Sequence, residues 1–327
     1  MPSSTRTRLG RLLLLASASA VLAACGDAAA SPEDAAAEGF TLRVGLTSVN
    51  GTVQGNIGWG DEKGLLLDAL RPAGVEKIDF ALFQSGKDVT AALLSGAVDV
   101  AVTGDNPALT ARSNGAETRL LALSTISGDT WLIGRPDGPT DIKDLVGKTV
   151  AAPEGTIRDR VAHGLLQAAG IGDKVPVRNV ATPEALAGLA GGSIDATTVG
   201  GTTAIELERQ GYVVIDKASE HGLESTEPNT ALQSFLDEHP DFAKAWATAV
   251  VSVNEHVRDH GEDYWAYSAN KDEVDEDVAK EAEPLENFPL EPLPADGLKQ
   301  LTSTYQYLLD TDSLEGPFDI EKWVVEP

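Results

Sequence analysis

The chain has 327 residues, with 51 acidic against 25 basic side chains and a formal net charge of −26 at pH 7. Its length suggests about two domains, and its hydrophobic content of 42% is sufficient for a folded core. The negative charge repels phosphates and anionic lipid surfaces, so it argues against a nucleic-acid partner.

The N-terminal residues have the pattern of an export signal. Three arginines precede an apolar run at residues 12–22, which is too short to span a bilayer. The sequence Leu22-Ala23-Ala24-Cys25 resembles a bacterial lipoprotein cleavage box, which implies cleavage before Cys25 and lipid on its sulfur. An ordinary signal beside an incidental thiol is the alternative. We expect a signal peptide at 1–24, a flexible tether at 25–39 and an extracytoplasmic protein anchored through Cys25.

An internal repeat with an ungapped offset of 96 residues runs through the middle of the chain. It pairs Gly74 with Gly170, Gly96 with Gly192, Asp99 with Asp195, and Gly104 with Gly200. In both copies helices and strands alternate in the same order, with glycines placed to end the helices. This alternation predicts two α/β lobes, each with a mainly parallel sheet. Coincidental glycine spacing is the alternative.

Four strand-to-helix corners, at 47–55, 103–107, 155–159 and 198–203, are rich in Gly, Thr, Ser and Asn. Parallel sheets bind ligands beyond the carboxyl ends of their strands, where helix N-termini present free N–H groups that suit an anion. At the second corner Asn106 is the predicted N-cap, with Pro107 at the first helical position. The alternative is that these residues only cap helices. The candidate ligand-binding residues are Thr47, Ser48, Asn50, Gln54, Trp59, Thr103, Gly104, Asp105, Asn106, Trp131, Thr156, Arg158, Thr198, Gly200 and Thr202.

Arg158 is the most distinctive of these candidates. An arginine in the first turn of a helix opposes the helix dipole and requires an anion nearby, either a ligand or the neighbouring Asp159. Trp59 and Trp131 lie beside the corners and are interpreted either as walls for the apolar part of a ligand or as core residues.

From about Thr226 onward the chain is predicted to be helical, because apolar residues recur at helical spacing. Residues 271–291 contain nine acids, and Pro284, Pro289 and Pro292 prevent one long helix, so a solvated region of loops and short helices is predicted here. His256 and His260 are four residues apart, but no third metal ligand is evident and their position at a helix end explains them, so no metal is expected.

Two motifs of the common secreted hydrolases are absent from the sequence. It contains neither a Gly-x-Ser-x-Gly nucleophile elbow nor a His-Glu-x-x-His zinc motif, which argues against the common secreted hydrolases, the main rival class. No catalytic residue and no cofactor are expected.

The order of features from Gly45 to about Gly211 resembles the solute-binding proteins of ABC importers for aliphatic sulfonates, taurine and nitrate. The residues that carry the resemblance are Phe83-Gln84-Ser85-Gly86, the segment from Ala92-Leu93 to Gly96 and Asp99, Gly104-Asp105-Asn106-Pro107, and Asp144-Leu145-Val146-Gly147-Lys148. The sequence differs from sulfonate binders after Asp195-Ala196, where it lacks their second aromatic corner, and at Gly155–Arg158, so the solute itself stays open.

The resemblance implies a two-lobed type 2 periplasmic-binding-protein fold that closes on its ligand. Its lobes would comprise residues 40–127, residues 128–221, and a region at 222–327 that completes lobe 1 and adds C-terminal helices. Hinges would lie near 124–131 and 219–230. The resemblance further implies a monomer that binds a small anionic organic ligand and delivers it to an ABC permease with its ATPase subunits. An alkanesulfonate, taurine, nitrate, a carboxylate and a heterocyclic vitamin precursor all remain open as the solute.

Overall fold

The computed structural model describes residues 39–48 and 51–325. The predicted signal peptide, the lipidation site Cys25, nearly all of the tether and the candidate ligand residue Asn50 lie outside the described residues. The strands are β1 (Phe40–Thr47), β2 (Val75–Phe83), β3 (Val100–Val102), β4 (Thr118–Leu123), β5 (Thr130–Gly134), β6 (Val150–Ala152), β7 (Val177–Asn179), β8 (Ala196–Gly200), β9 (Val213–Lys217) and β10 (Pro228–Leu232).

Helices surround these strands and form most of the C-terminal third. They are α1 (Gly55–Glu62), α2 (Leu65–Leu70), α3 (Gly86–Leu94), α4 (Asp105–Ser113), α5 (Ile157–Ala168), α6 (Thr182–Gly191), α7 (Gly201–Arg209), α8 (Gln233–Glu238), α9 (Phe242–Asp259), α10 (Gly261–Asp272), α11 (Glu276–Ala282), α12 (Ala295–Asp310) and α13 (Ile320–Trp323). None of the helices in the described part of the chain is long and apolar enough to cross a membrane.

The strands form two five-stranded sheets, which define two lobes. Lobe 1 has the strand order β2-β1-β3-β10-β4, and lobe 2 has the order β7-β6-β8-β5-β9. In each sheet the strand next to one edge, β1 or β6, pairs in parallel with both of its neighbours. β10 and β5 pair antiparallel with their neighbours. Each sheet therefore combines a parallel half with an antiparallel half.

The predicted repeat is present in the backbone. Gly74, Gly96, Gly170 and Gly192 all adopt positive φ, from 71° to 86°, where a residue without Cβ is favoured. The remaining glycine pair, at positions 104 and 200, supplies the N-caps of α4 and α7. Equivalent glycines therefore end helices or begin them at equivalent places in the two lobes, which confirms the two-lobe prediction.

Two local predictions are wrong. The helical region begins at Gln233 and not at about Thr226, because β10 comes first and lies between β3 and β4 in the lobe 1 sheet. This strand has five residues, begins with Pro228 and is buried along most of its length, so its sequence lacks the alternation of a half-exposed strand. Helix α4 begins at Asp105 with Gly104 as N-cap, which places Asn106 and Pro107 inside the helix.

Two antiparallel segments join the lobes, residues 124–129 between β4 and β5 and residues 218–227 between β9 and β10. They are hydrogen-bonded to each other, since Gly128 and Ser225 exchange both backbone bonds and Ser124 N–H donates to the Glu227 carbonyl. The C-terminal helices add further links between lobes. Helix α12 packs on α4 of lobe 1, whereas α11 packs on α7 of lobe 2, where Val278 joins the lobe 2 core.

Candidate functional site

The carboxyl ends of β1 and β3 border a pocket in lobe 1. β1 lies between β2 and β3, so the strand order reverses here, and open α/β sheets bind ligands outside such a reversal. A cavity of about 200 Å³ lies at this position. We call it the cleft pocket; its lining residues are Leu46, Thr47, Thr52, Gln54, Gly55, Asn56, Ile57, Val102, Thr125, Glu227, Tyr264, Ser268, Asp272, Glu283 and Phe288.

Three carboxyl groups line the cleft pocket. Glu227 comes from the second connecting segment and accepts a 2.6 Å hydrogen bond from Ser124 Oγ. Asp272, at the end of α10, accepts a 3.1 Å bond from Thr202 Oγ1 in the first turn of α7, so lobe 2 reaches the rim of this pocket. Glu283 accepts bonds from the hydroxyls of Tyr264 and Ser268. Within the described residues no basic side chain forms an ion pair with any of these three acids.

Burial alters the acidity of these groups. It raises the pKa of Glu283 to about 7, against the lowering effect of its bond from Ser268. Burial likewise raises the pKa of Glu227 and of Asp272, although each accepts a hydroxyl hydrogen bond that opposes the shift. The cleft pocket therefore holds carboxyl groups whose charge is poorly compensated by the protein itself.

A buried polar network supports the pocket from below. Asn56 Nδ2 donates to the Ser124 carbonyl at 3.0 Å and to Asn254 Oδ1 at 2.7 Å, and Asn229 Nδ2 donates to Ser124 Oγ at 2.9 Å. Each of these side chains is fully or almost fully buried. The network fixes the start of α1 and the connecting segment against α9. It also orients the Ser124 hydroxyl, which donates to Glu227, because Asn229 Nδ2 donates to that hydroxyl.

The corresponding corner of lobe 2 lies where β6 and β8 end and α5 begins. Thr156 caps α5 by accepting the Asp159 N–H, and the buried Thr198 donates to the Arg158 carbonyl at 2.9 Å. Arg158 is partly buried, and its Nε is fully buried with no hydrogen-bond partner among the described residues. Burial lowers the pKa of the Arg158 guanidinium.

Asp159 does not neutralise Arg158. Its carboxylate accepts the Gly155 N–H at 3.0 Å and approaches His163, and no carboxylate in the described part of the chain lies within ion-pair distance of Arg158. Asp159 is therefore not the anion partner that the sequence offers for Arg158.

Two other candidates, Asp105 and Asn106, join the lobes to each other. The Asp105 carboxylate is fully buried, accepts from Thr304 Oγ1 at 2.9 Å and lies 3.5 Å from Arg160 of lobe 2. Asn106 Oδ1 accepts from Arg160 Nε, and its Nδ2 donates to the Thr156 carbonyl. Their polar atoms are thus occupied by protein partners at the junction between α4 and α5. A groove of about 650 Å³ beside this junction also reaches α12 but not the strand ends.

The tryptophans are core residues, so their interpretation as ligand walls is corrected. Trp59 is 1% exposed and donates its indole N–H to His256 Nδ1, because α1 turns this face towards α9. Trp131 is 8% exposed, donates to Asp129 and has the Lys217 ammonium 3.5 Å from its ring centroid. Because His256 Nδ1 accepts the bond from Trp59, this nitrogen is not available to bind a metal.

The remaining candidates divide by position. Thr47 and Gln54 line the cleft pocket. Ser48 is buried and bonds within its own loop, and Thr103 is buried with its hydroxyl on the Gly104 carbonyl. Gly200 caps α7. A Cβ on Gly104 would lie 2.5 Å from Ile157 Cδ1 of lobe 2, so this glycine permits close approach of the two lobes.

Sequence reasoning missed the acids of the cleft pocket. Asp272 and Glu283 fall in the acid-rich segment that was interpreted as solvated, and Glu227 falls where a helix was expected. No local signal marks them, because the burial of each acid arises from packing between the connecting segment, α10 and α1.

Comparison with known proteins agrees with this architecture. Residues 73–262 match the family model described as NMT1/THI5 like. A putative aliphatic sulfonates-binding protein of Bacillus subtilis (strain 168) is 24% identical over 268 residues, which cover 80% of this chain and 79% of that protein. A taurine-binding periplasmic protein of Escherichia coli (strain K12) is 24% identical over 181 residues, covering 54% of this chain and 57% of that protein.

Solved structures show the same fold. The alkanesulfonate-binding protein SsuA from Xanthomonas axonopodis pv. citri, bound to MOPS, has a TM-score of 0.73 at 18% identity, covering 89% of this chain and 99% of that one. The desulfurization enzyme DszB has a TM-score of 0.66 at 19% identity, covering 87% and 96%. The two-lobed periplasmic-binding-protein fold expected from the sequence is confirmed, and it occurs in binding proteins and in an enzyme. Since the family model matches more than half of the chain, this protein belongs to the NMT1/THI5-like family.

Proposed function

We propose that this chain is the extracytoplasmic solute-binding protein of an ABC importer and that it binds a small organic acid, such as an aliphatic sulfonate, between its lobes. The observation that carries the proposal is Arg158, a guanidinium at the N-terminal turn of α5 whose buried Nε has no partner among the described residues. A sulfonate or carboxylate accepts from a guanidinium and also interacts favourably with a helix N-terminus. The names of the two curated relatives support the same solute class.

The import cycle follows from the two connecting segments. Acid bound at lobe 2 and cleft pocket contacts in lobe 1 would favour the closed arrangement, because a ligand shifts a conformational equilibrium by its differential affinity for the two states. The closed protein is then the form delivered to a permease and its ATPase subunits. Lipid on Cys25 would hold a monomeric binding protein at the membrane surface. The sequence Leu22-Ala23-Ala24-Cys25 supports this lipidation.

Calorimetric titration with ethane-, propane- and butanesulfonate, butanoate and nitrate tests the proposal. We expect at least one of these acids to bind, and Arg158→Ala to weaken that binding by about 1.5–3 kcal/mol, roughly ten- to a hundredfold, because a charge-assisted bond is lost. Arg178→Ala is the matched control, since Arg178 is an exposed arginine of the same lobe.

Two results would contradict this function. Equal affinity of the Arg158→Ala variant and the parent protein removes Arg158 from the site. If mass spectrometry shows that the ligand is converted during incubation, the protein is an enzyme. A binding protein leaves its ligand unchanged and is stabilised by it.

A further inference from the structure

The cleft pocket presents three carboxyl groups to a solute that itself carries a negative charge. Glu227, Asp272 and Glu283 line it, and no Lys, Arg or His is among the described residues that do so. The donors that these acids receive are neutral hydroxyls. A hydroxyl satisfies a lone pair without cancelling a charge, so the ionised acids would repel an anion that approaches them.

The same pocket also has donors that suit an acid. Thr47 and Thr125 line it beside the carboxyl groups, and a hydroxyl can donate to an oxygen of a sulfonate or a carboxylate. Lobe 2 reaches the rim of the pocket, because Thr202 Oγ1 donates to Asp272 at 3.1 Å. A solute held between the lobes therefore meets both the hydroxyls and the acids.

Glu283 is the acid on which the charges of both other acids act. It follows α11 and accepts from two hydroxyls of α10, from Tyr264 at Oε1 and from Ser268 at Oε2. Burial and the charges of Asp272 and Glu227 raise its pKa to about 7, against the lowering effect of the two hydrogen bonds. In the free protein at neutral pH this carboxyl therefore exchanges between its neutral and its ionised form.

Three basic side chains of the neighbouring helices have other partners. Arg258 of α9 donates to two backbone carbonyls, whereas Lys271 of α10 and Lys280 of α11 are paired with Glu62 and Glu262. No ion pair in the described part of the chain includes Glu283. When an anion approaches this carboxyl, a proton is the counter-charge that can relieve the repulsion.

We propose that the anionic solute is bound together with one proton, which the Glu283 carboxyl carries beside it in the cleft pocket. This inference rests on the proposed function and adds a pH dependence to it. An anion next to a carboxyl favours the neutral form, so above about pH 7 the complex takes up a proton that the free protein lacks, and the affinity falls as the pH rises. Below about pH 6 the carboxyl is already neutral, and the affinity should change little.

Calorimetric titration of the full chain at pH 6 and pH 8 tests the inference with the same five acids, ethane-, propane- and butanesulfonate, butanoate and nitrate, all of which stay ionised in this range. We expect an acid that binds to do so about tenfold more weakly at pH 8 than at pH 6. Glu283→Gln should bind it equally well at both, close to the affinity of the parent protein at pH 6. Glu286→Gln changes an exposed acid of the same segment and should keep the pH dependence.

Titration at pH 7.5 in Tris and in phosphate, which differ in ionisation enthalpy, counts the protons in the parent protein even if Glu283→Gln folds poorly. We expect uptake of more than about half a proton for each acid bound. Equal affinity at pH 6 and pH 8 without proton uptake overturns the inference and leaves the proposed function standing. Proton uptake that persists in folded Glu283→Gln also overturns it, because another group then carries the proton. If none of the five acids binds at pH 6, both the inference and the proposed function fail.

Discussion

Glu283 shows how a single carboxyl makes the stability of the fold depend on pH. Its pKa of about 7 in the folded protein lies above the ordinary value of 4.5. The folded chain therefore retains a proton that the unfolded chain releases between pH 4.5 and 7, and the free energy of unfolding falls as the pH rises through this window. The groups that surround it are Ser268, Tyr264, Asp272 and Glu227, none of which is cationic.

Glu283→Gln should consequently stabilise the unliganded protein at high pH. Glutamine carries no charge and keeps one acceptor oxygen, whereas Tyr264 and Ser268 donate to different carboxyl oxygens of Glu283, so one hydroxyl must instead accept from the new N–H. At pH 8 we expect a gain of up to about 3 kcal/mol in urea unfolding, shrinking towards pH 5. Exposed Glu286→Gln should change little at either pH. If Glu283→Gln is no more stable than the parent protein at pH 8, ionisation of the Glu283 carboxyl does not destabilise the fold.

Side chains differ in how far the sequence foretells their role. Arg158 could be singled out because its conflict with the helix dipole is local, and the structure leaves its Nε unpaired. Glu283 could not be singled out from the sequence, because its acidic segment has the composition of a solvated one. Its environment arises only when α10 packs against α1. Trp59 was ambiguous for the same reason: an indole beside a glycine-rich corner suits a core as well as a ligand site.

At the scale of elements, the junction of α4 with α5 contains a buried ion pair between lobes. Arg160 and Asp105 are 3% and 0% exposed, and Thr304 and the Thr226 N–H also donate to the carboxylate. Breaking such a pair leaves one buried charge uncompensated, whereas removing both charges relieves that cost. Removing one charge of this pair should therefore lower the free energy of unfolding more than removing both charges.

We expect Arg160→Met and Asp105→Asn each to lower the free energy of unfolding by about 3–5 kcal/mol and the double variant to lose clearly less than the sum. Urea unfolding of all four proteins gives the coupling. Arg209→Met with Asp277→Asn serves as the control, since this exposed pair between α7 and α11 should show coupling within about 1 kcal/mol. Additive losses at Arg160 and Asp105 would show that the two charges act independently.

The sequence predicted well those helices whose ends are marked by a glycine or a capping side chain. Glycines at positive φ end the matched helices of both lobes, and Thr156 caps α5 with its own side chain. β10 has no such signal, because its place depends on pairing with β3 and β4 from more than 100 residues earlier. The start of α4 was misplaced because Gly104 caps it without a side-chain hydrogen bond.

At the scale of the whole molecule, the excess of acids sets a field that opposes compaction. The formal net charge is −26 and the sequence isoelectric point is about 4.4, so at pH 8 the folded chain confines many like charges. Such self-repulsion destabilises the compact state and is screened by salt, since the Debye length falls from about 30 Å at 0.01 M to about 3 Å at 1 M.

Thermal unfolding at pH 8 should therefore shift upward between 10 and 500 mM tetramethylammonium chloride. We expect a gain on the order of 1 kcal/mol, which corresponds to about 1–2 °C for a chain of this size, and a much smaller gain near pH 4.5, where the net charge vanishes. Sodium chloride at the same ionic strength provides the comparison, because a larger effect of Na⁺ would indicate cation binding at a site such as the cleft pocket. A Tm that stays constant or falls in both salts at pH 8 would show that the net charge does not limit stability.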